Sequence, residues 1–170
     1  MMGEQGETKI DPLDFRRTLG LFASGITVIT TKHEDQIHGM TANAFVSVSL
    51  DPPLVLVSID NRANMLEILP KSGCYGVSVL SDEQEQMSQH FAGRPKVDEP
   101  PEFIEREGIP LLDGALAHLV CKVVEAYPAG DHTLYIGRVE YLDYHDGHPL
   151  LFYTGGYRNL DVQLSDPYVW

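Results

Sequence analysis

The sequence predicts a mainly β fold, in which an antiparallel β-barrel carries a few peripheral helices. Apolar and β-branched runs of strand length recur along the 170 residues, turn residues separate them, and only three short segments carry helix signals. The helices are too few and too irregularly placed for a doubly wound parallel sheet. With 43% hydrophobic and 22% charged residues, we expect one folded domain over residues 11–170, preceded by a flexible tail over residues 1–10.

The first elements predicted are a helix and a β-hairpin. Asp11-Pro12-Leu13-Asp14 supplies an N-cap, a proline in the first turn and an early acid, so we expect a helix over residues 12–22. Residues 26–31 are all β-branched and a polar stretch follows them. This pattern predicts a strand, a short loop and a returning strand over residues 37–41.

The segment over residues 39–53 is the most informative part of the chain, because a strand-like run there carries three hydroxyl groups and a carboxamide but almost no charge. Its alternation places Phe45, Ser47 and Ser49 on one face of a strand. Val46 and Val48 fall on the other face. We interpret the segment as a strand that packs through one face and holds a polar ligand with the other.

The middle of the chain predicts a strand, a helix and a further strand. Residues 54–59 form an apolar run that is typical of a buried strand. Asn61 is predicted to cap a helix over residues 62–69, which Pro70 ends. The next strand is expected over residues 74–80.

A third helix and a set of strands complete the expected fold. Ser81 and Gln84 form a capping-box pattern that opens a helix toward Phe91, and Gly93 ends this helix. Residues 94–109 lack periodicity and are predicted to form a loop or lid that contributes ligand contacts. The last strands are predicted over residues 116–126, 133–142 and 150–153.

The acidic balance of the chain excludes several classes of partner. A formal net charge of −13 would repel a phosphate backbone, so we expect neither nucleic acid nor an anionic membrane as a partner. The first residues lack a cationic start and an apolar core, and no apolar run approaches membrane-spanning length, so a cytoplasmic location is expected. Cys74 and Cys121 lie among apolar neighbours, which predicts buried thiols rather than a disulfide or a zinc site.

Local patterns for common catalytic chemistries are weak or missing. Gly130-Asp131-His132-Thr133 predicts a tight turn, from which His132 either contacts a ligand or, as local sequence alone favours, points to water. His145-Asp146-Gly147-His148 is better explained by a hairpin turn than by a zinc site, so no metal is expected. The chain has neither a Gly-x-Ser-x-Gly nor a Gly-x-Gly-x-x-Gly motif.

Several motifs, taken in order along the chain, resemble those of the flavin reductase-like family. The resemblance spans about residues 15–160, and it is strong although each motif alone is weak. The motifs are Gly39-Met40-Thr41-Ala42-Asn43-Ala44-Phe45 with Ser47-Val48-Ser49, Phe91-Ala92-Gly93, Gly130-Asp131-His132-Thr133 with Ile136-Gly137, and Pro149-Leu150-Leu151-Phe152-Tyr153 followed by Gly156-Tyr157.

This resemblance implies an FMN-binding split β-barrel of Greek-key type, usually a homodimer with the flavin near the subunit interface. It also implies an NAD(P)H:flavin oxidoreductase, which reduces FMN or FAD with NADH or NADPH and releases the reduced flavin to a separate oxygenase. The likeness is greatest to the small components of two-component monooxygenases that act on phenol or 4-hydroxyphenylacetate.

The resemblance further implies where the cofactors bind. Residues 41–45 would line the isoalloxazine ring, mainly through backbone groups, while Ser47 and Val48 would face the ribityl-phosphate side. Arg62 and Asn64 would hold phosphate, and His132 would position the nicotinamide. The full set of residues expected at the site is Met40, Thr41, Ala42, Asn43, Ala44, Phe45, Ser47, Val48, Ser58, Arg62, Asn64, Phe91, Ala92, Gly93, Gly130, Asp131, His132, Tyr153 and Tyr157.

Hydride transfer between two cofactors needs no protein acid or base, which agrees with the lack of a catalytic motif. Donors near the flavin ring would stabilise its reduced anionic form, and Thr41 and Asn43 are the expected ones. Two other classes of protein stay open at this point. One is a flavin-binding carrier or sensor without reductase turnover, and the other is a β-barrel that binds no flavin and uses its apolar faces for association.

Overall fold

A computed structural model describes residues 9–94 and 99–160. It is built mainly from antiparallel strands with three short α-helices, as predicted. The helices are α1 Pro12–Leu19, α2 Met65–Ser72 and α3 Glu85–Phe91, the last preceded by a 3-10 turn over Asp82–Gln84. The strands are β1 Ser24–Gly25, β2 Thr27–His33, β3 Gln36–Ala42, β4 Phe45–Leu50, β5 Pro53–Asp60, β6 Cys74–Val79, β7 Phe103–Arg106, β8 Ile109–Leu112, β9 Ala117–Ala129, β10 His132–Tyr144, β11 Leu150–Tyr153 and β12 Gly156–Asn159.

The main sheet curls into a barrel that is open along one side. Its seven strands run in the order β3-β2-β6-β9-β10-β5-β4, so β3 and β4 lie at opposite edges. Only Asn43 and Ala44 connect these two edge strands. The edges must therefore meet at this link, where the Ala44 carbonyl accepts a hydrogen bond of 3.0 Å from the Ser58 backbone N–H.

Two smaller sheets pack against the main sheet. The strands β1, β11 and β12 form one sheet, and β7 and β8 form a hairpin. The chain reaches β6 from β5 through α2 and passes the β9–β10 hairpin, which lies between them in the sheet. This skipped connection is typical of Greek-key barrels.

Alternation along β5 separates a core face from an outer face. Val55, Val57 and Ile59 are buried in the largest apolar cluster, together with Tyr75 and Val77 of β6. The intervening Leu54, Leu56, Ser58 and Asp60 are only partly buried. Because directly opposed residues of an antiparallel pair share a face, this outer face continues onto β10 through Leu134 and His132.

Several local predictions need correction. The alternation of β4 is interrupted by a bulge, because Ser47 pairs with Val55 and Ser49 with Leu54, so Val48 is left unpaired. Residues 94–109 were predicted as a loop or lid, yet they contain β7 and the start of β8, whose residues are all buried. The loop over residues 145–148 joins β10 to β11 of a different sheet and does not form a hairpin.

The helix α2 begins three residues later than expected and extends past Pro70. The Asn61 side chain does not cap it, because its carboxamide oxygen accepts a hydrogen bond of 2.8 Å from the Thr133 hydroxyl. Gly73, with a φ of 71°, ends the helix instead, and its N–H donates to the Leu69 carbonyl. The N-terminal helix α1 is also shorter than expected and ends at Leu19.

A buried histidine connects three strands at the far side of the barrel. His118 is 5% exposed, and its ring nitrogens lie 2.8 Å from the Asp143 carboxylate and 2.8 Å from the Leu112 carbonyl. The Tyr141 hydroxyl donates to the same carboxylate at 2.6 Å.

These bonds lead to an expected pH dependence of stability. Donation from Tyr141 and His118 lowers the pKa of Asp143. The ionised carboxylate therefore stabilises the folded protein above the ordinary pKa of an aspartate, and this stabilisation is lost as the pH falls through the lowered pKa of Asp143. We therefore expect Asp143→Asn to lower the free energy of unfolding at pH 7, and the difference from wild type to shrink below about pH 4. Urea unfolding across this pH range measures the difference, with Asp146→Asn as the control. A difference that stays constant down to pH 2 would contradict the role of the carboxylate.

Candidate active site

A central cavity lies where β3, α3 and the β11–β12 hairpin meet. Its volume is about 410 Å³. Thr41 and Asn43 form one wall at the end of β3, and Ser88 and Ala92 form another from α3 and its C-cap. The remaining lining residues are Ile26, Gln89, Arg94, Phe152, Gly155 and Tyr157.

Internal hydrogen bonds fix two walls of this cavity. The Thr41 hydroxyl donates to the Ser88 carbonyl at 2.6 Å, and the Ser88 hydroxyl lies 2.9 Å from the Tyr157 hydroxyl. The Thr41 hydrogen is thus already used inside the protein. Asn43 is exposed, and no hydrogen bond of its side chain occurs within the described residues. Its carboxamide is the free polar group of this wall.

An apolar groove lies on the other side of Asn43. Its volume is about 720 Å³, and Asn43 lines both this groove and the central cavity. Phe45, Val46 and Leu56 provide apolar walls, while Ser58 adds a hydroxyl. Leu19 and Phe22 extend the groove toward α1. The link between the two barrel edges therefore separates a polar cavity from an apolar groove.

The turn over residues 130–132 carries the predicted histidine. The His132 Nδ1 atom lies 2.7 Å from the Asp131 carboxylate, and the side chain of His132 is 40% exposed. This contact lowers the pKa of Asp131, which stays ionised near neutral pH and holds the imidazole. His132 opposes Asp60, and Ser58 is two residues farther along β5 on the same face. The histidine is thus about 7 Å along the sheet from the groove.

Arg62 is engaged by a neighbouring acid. Its guanidinium makes two hydrogen bonds to Asp60, of 3.0 Å and 2.7 Å, and its backbone N–H makes a third of 2.8 Å. These bonds hold the pKa of Asp60 well below its usual range and raise that of Arg62. Asn64 is exposed at the start of α2 and makes no capping hydrogen bond with its side chain.

The predicted residues fall into separate groups in the fold. Thr41, Asn43, Ala92 and Tyr157 line the central cavity, and Asn43, Ala44, Phe45 and Ser58 line the apolar groove. Gly130, Asp131, His132 and Arg62 gather at the end of β5 and β10. Met40 and Ala42 belong to the core cluster. The side chains of Ser47, Val48, Asn64 and Tyr153 are exposed, as is Gly93.

The Phe91 ring packs against the barrel and does not line the cavity, although its motif predicts a contact with the ligand. The ring packs over Gly39, where an added Cβ would lie 2.7 Å from two ring atoms. It also contacts the Phe103 ring edge-on, with 6.2 Å between centroids. The ring therefore fastens α3 and the β7–β8 hairpin to the barrel, and it is Ala92 that lines the cavity.

Sequence reasoning missed five residues of the cavity. They are Ile26, Ser88, Gln89, Phe152 and Gly155. Ser88 lies four residues before Ala92, so a helical spacing placed both on one face and was the available signal. Gln89 is the next residue of α3. Ile26, Phe152 and Gly155 reach the cavity through the pairing of β11 with β1 and β12, which the local sequence does not encode.

Comparisons with known proteins agree with this architecture. The model of the flavin reductase like domain family matches residues 19–161. An NADH-dependent flavin reductase from a Rhodococcus species is 55% identical over 163 residues, which cover 94% of this chain and 93% of that protein. The reductase component of 4-hydroxyphenylacetate 3-monooxygenase from Thermus thermophilus is 42% identical over 151 residues, covering 86% and 95%.

Solved structures give the same answer. The flavin reductase PheA2 in its native state superposes with a TM-score of 0.87 at 46% identity, covering 90% of this chain and 100% of that one. An NADH:FAD oxidoreductase from Streptomyces globisporus, in complex with NAD and FAD fragments, has a TM-score of 0.84 at 37% identity and covers 93% and 99%. The chain belongs to the flavin reductase-like family. The predicted family, split-barrel fold and flavin reductase function are confirmed.

The groove and the cavity fit a flavin and a second, more polar ligand. A flavin ring is flat and largely apolar with polar edges, and the groove provides apolar walls together with the Asn43 carboxamide and the Ser58 hydroxyl. Both volumes lie within the usual range for small-molecule sites, about 300–1,000 Å³. The residues present are therefore suited to this cofactor.

Proposed function

We propose that this protein oxidises NADH, reduces FMN or FAD, and passes the reduced flavin to a separate flavin-dependent oxygenase. The observation that supports it most is the position of Asn43, which borders both a polar cavity and an apolar groove. Two ligands bound in these spaces would meet at one short backbone link. The names of the relatives favour NADH as the donor.

In this proposal the nicotinamide supplies the hydride and the flavin ring accepts it, so the protein only binds and orients. The backbone of residues 43–45 and the Ser58 hydroxyl hold the polar edge of the flavin. Phe45, Val46 and Leu56 exclude water from its apolar part. The hydrogen bond between the Ser88 and Tyr157 hydroxyl groups holds the wall of the central cavity that faces Asn43.

His132 is proposed to orient the nicotinamide. Its contact with Asp131 selects the ring position in which Nδ1 faces the carboxylate and Nε2 faces away. Arg62 and Asn64 remain proposed phosphate contacts at the start of α2. Asp60 accepts hydrogen bonds from Nε and Nη2 of the Arg62 guanidinium, so a phosphate contact through Arg62 would use its remaining N–H groups.

We also propose that the protein forms a homodimer through its outer apolar face. Val46 is 52% exposed and Phe22 is 83% exposed, and α1 has no buried residue. Large apolar side chains gathered beside a ligand groove are typical of an interface. A second copy that covers this face would complete the groove lined by Phe22 and Val46.

The dimer leads to a prediction for Val46→Asp. A charge placed in an apolar interface is left without a partner, so the variant is expected to become monomeric and to bind flavin at least tenfold more weakly. Sedimentation velocity and flavin fluorescence measure the two effects. Ile37→Asp is the control, since Ile37 is exposed to a similar extent, 44%, on the β2–β3 hairpin. A monomeric wild type would refute the dimer.

A cytoplasmic location belongs to the same proposal. Cys74 and Cys121 are both free thiols, which is usual in a reducing compartment. Burial raises the pKa of Cys121 to about 12, so this thiol does not act as a nucleophile. Among the described residues, no helix is both long and apolar enough to cross a bilayer.

Steady-state assays with NADH or NADPH and with FMN or FAD test the function. We expect NADH oxidation that depends on added flavin and saturates with it, which would identify flavin as a substrate. Tight binding of flavin without any NADH or NADPH oxidation would overturn the proposal and favour a flavin carrier. Transfer is tested by adding a purified flavin-dependent oxygenase and measuring its hydroxylated product.

A further inference from the structure

The end of β5 meets the turn between β9 and β10 at the predicted histidine. Asp60, the last residue of β5, is paired directly with His132, the first residue of β10. The turn before this histidine is Gly130-Asp131, in which the glycine adopts a φ of 64°. An exposed two-residue turn at the end of a sheet has few contacts of its own, so its conformation depends on neighbouring groups.

Asn61 makes three hydrogen bonds to this turn and to the start of β10. Its backbone N–H donates to the Asp131 carbonyl at 3.0 Å, which adds one bond beyond the last residue pair of the ladder. Its carboxamide oxygen accepts from the Thr133 hydroxyl at 2.8 Å, and its carboxamide nitrogen donates to the Gly130 carbonyl at 3.5 Å. These contacts lie on both sides of Asp131 and His132.

The carboxamide of Asn61 suits these contacts, because it carries both a donor and an acceptor. The Gly130 carbonyl needs the donor, and the Thr133 hydroxyl uses the acceptor. An ionised aspartate in this position would have no donor for the carbonyl. Asn61 is exposed, so loss of its side chain leaves the apolar core intact. Its side chain therefore acts on the turn and not on the core.

The turn in its place orients the histidine. The Asp131 carboxylate lies 2.7 Å from the Nδ1 atom of His132, so a shift of the turn moves the group against which the imidazole is held. Transfer between two bound molecules depends strongly on orientation, and a displacement of about 1 Å lowers its rate markedly. A residue that fixes the turn thus affects the reaction without touching the reacting molecules.

We propose that Asn61 is a positioning residue, which holds the turn over residues 130–133 so that His132 keeps the orientation in which it contacts the nicotinamide. The proposal rests on the proposed reductase function and adds to it a residue that binds neither cofactor. Because Asn61 acts through His132, its effect on NADH use depends on the presence of the histidine.

Asn61→Ala is expected to lower kcat/KM for NADH by about fivefold, the size of one ordinary hydrogen bond, and to change flavin affinity by less than about twofold. Thr133→Val removes the hydroxyl from a side chain of nearly the same shape and should give a similar loss, whereas Thr133→Ser should keep the activity of the wild type. Asn159→Ala is the matched control, because it removes the same carboxamide from an exposed position on β12. Its kcat/KM should stay within about twofold of wild type.

A double-mutant cycle with His132→Ala tests whether Asn61 acts through the histidine. In the His132→Ala background, Asn61→Ala should lower kcat/KM for NADH by less than about twofold further, because the group that it positions is missing. Losses that simply multiply would overturn the proposal. A fall in flavin affinity as large as the fall in NADH use would do the same, since it would show a general effect on the fold.

NMR of the His132 ring separates this proposal from the reductase function. The Cε1–H signal, assigned by its loss in His132→Ala, is expected to move in Asn61→Ala toward its position in a free peptide of residues 130–133. It should not move in Asn159→Ala. This result stands even if no flavin supports NADH oxidation, which would refute only the reductase function. A His132 signal that is unchanged in Asn61→Ala overturns the positioning role.

Discussion

Replacing Gly137 by alanine is expected to destabilise the protein by about 3 kcal/mol, at the upper end of the usual cost of overpacking a core. A Cβ at this position would lie 2.2 Å from the Tyr75 hydroxyl oxygen and 2.9 Å from the Cys121 Cβ. Gly137 is in β10 and Tyr75 is fully buried. The neighbouring backbone belongs to the central strands of the sheet, so neither side can move away easily.

Urea unfolding followed by circular dichroism measures this loss. Gly25→Ala is the control, because no atom lies within 4 Å of the added Cβ and little change is expected. Combining Gly137→Ala with Tyr75→Phe should recover part of the stability, since it removes the closest atom. An alanine variant as stable as wild type would show that the ring has room to shift.

The Tyr75 hydroxyl is also expected to contribute little by itself. It is buried without a nitrogen or oxygen partner among the described residues, and its polar neighbour is the Cys121 thiol, which bonds only weakly. Burial raises the pKa of Tyr75, which keeps the hydroxyl neutral. The ring, rather than the hydroxyl, therefore fills the core between β6 and β10.

Local sequence determined the strands of this fold better than their arrangement. The β-branched residues of β2 and the alternation of β5 give strong strand signals, and both strands are present. The order of the sheet depends on pairing between distant segments, such as β10 with β5. No local pattern encodes such pairing, and here the order followed from resemblance to a family.

The β7–β8 hairpin shows why a composition can mislead. The acidic and proline-rich sequence before it is typical of a loop, yet Leu111 and Leu112 are fully buried against the barrel. Gly76 permits this approach, since an added Cβ there would lie 2.6 Å from the Leu111 side chain. A glycine inside a strand pattern was the available signal for such a close contact.

The site could be predicted in part because its residues lie on one continuous strand-turn-strand segment. Residues 41–45 cross from one barrel edge to the other, so a single motif contributes to both the cavity and the groove. Hydrogen bonding could not be foreseen in the same way. The engagement of Thr41 by Ser88 and of Arg62 by Asp60 depends on side-chain geometry, and within the described residues it leaves the Asn43 carboxamide as the free polar group of the cavity wall.

His132→Ala is expected to reduce kcat/KM for NADH by about tenfold, which corresponds to the loss of one hydrogen bond of about 1.4 kcal/mol. The affinity for flavin should change by less than twofold, because the residue lies beyond the groove residue Ser58 along β5 and β10. The side chain is 40% exposed at a turn, so its removal is not expected to unfold the barrel. Stopped-flow NADH oxidation and flavin titration measure the two quantities separately.

Asp131→Asn distinguishes an orienting role of the carboxylate from a direct role of the histidine. The amide keeps the size of the side chain but weakens the 2.7 Å contact with Nδ1, so its loss in kcat/KM should be smaller than that of His132→Ala. His145→Ala, in the exposed loop after β10, is the control and should leave both quantities unchanged. Equal losses of NADH use and flavin affinity in His132→Ala would instead mean that the turn shapes the flavin groove. The kinetic split between the two cofactors thus decides whether this histidine acts on the nicotinamide alone.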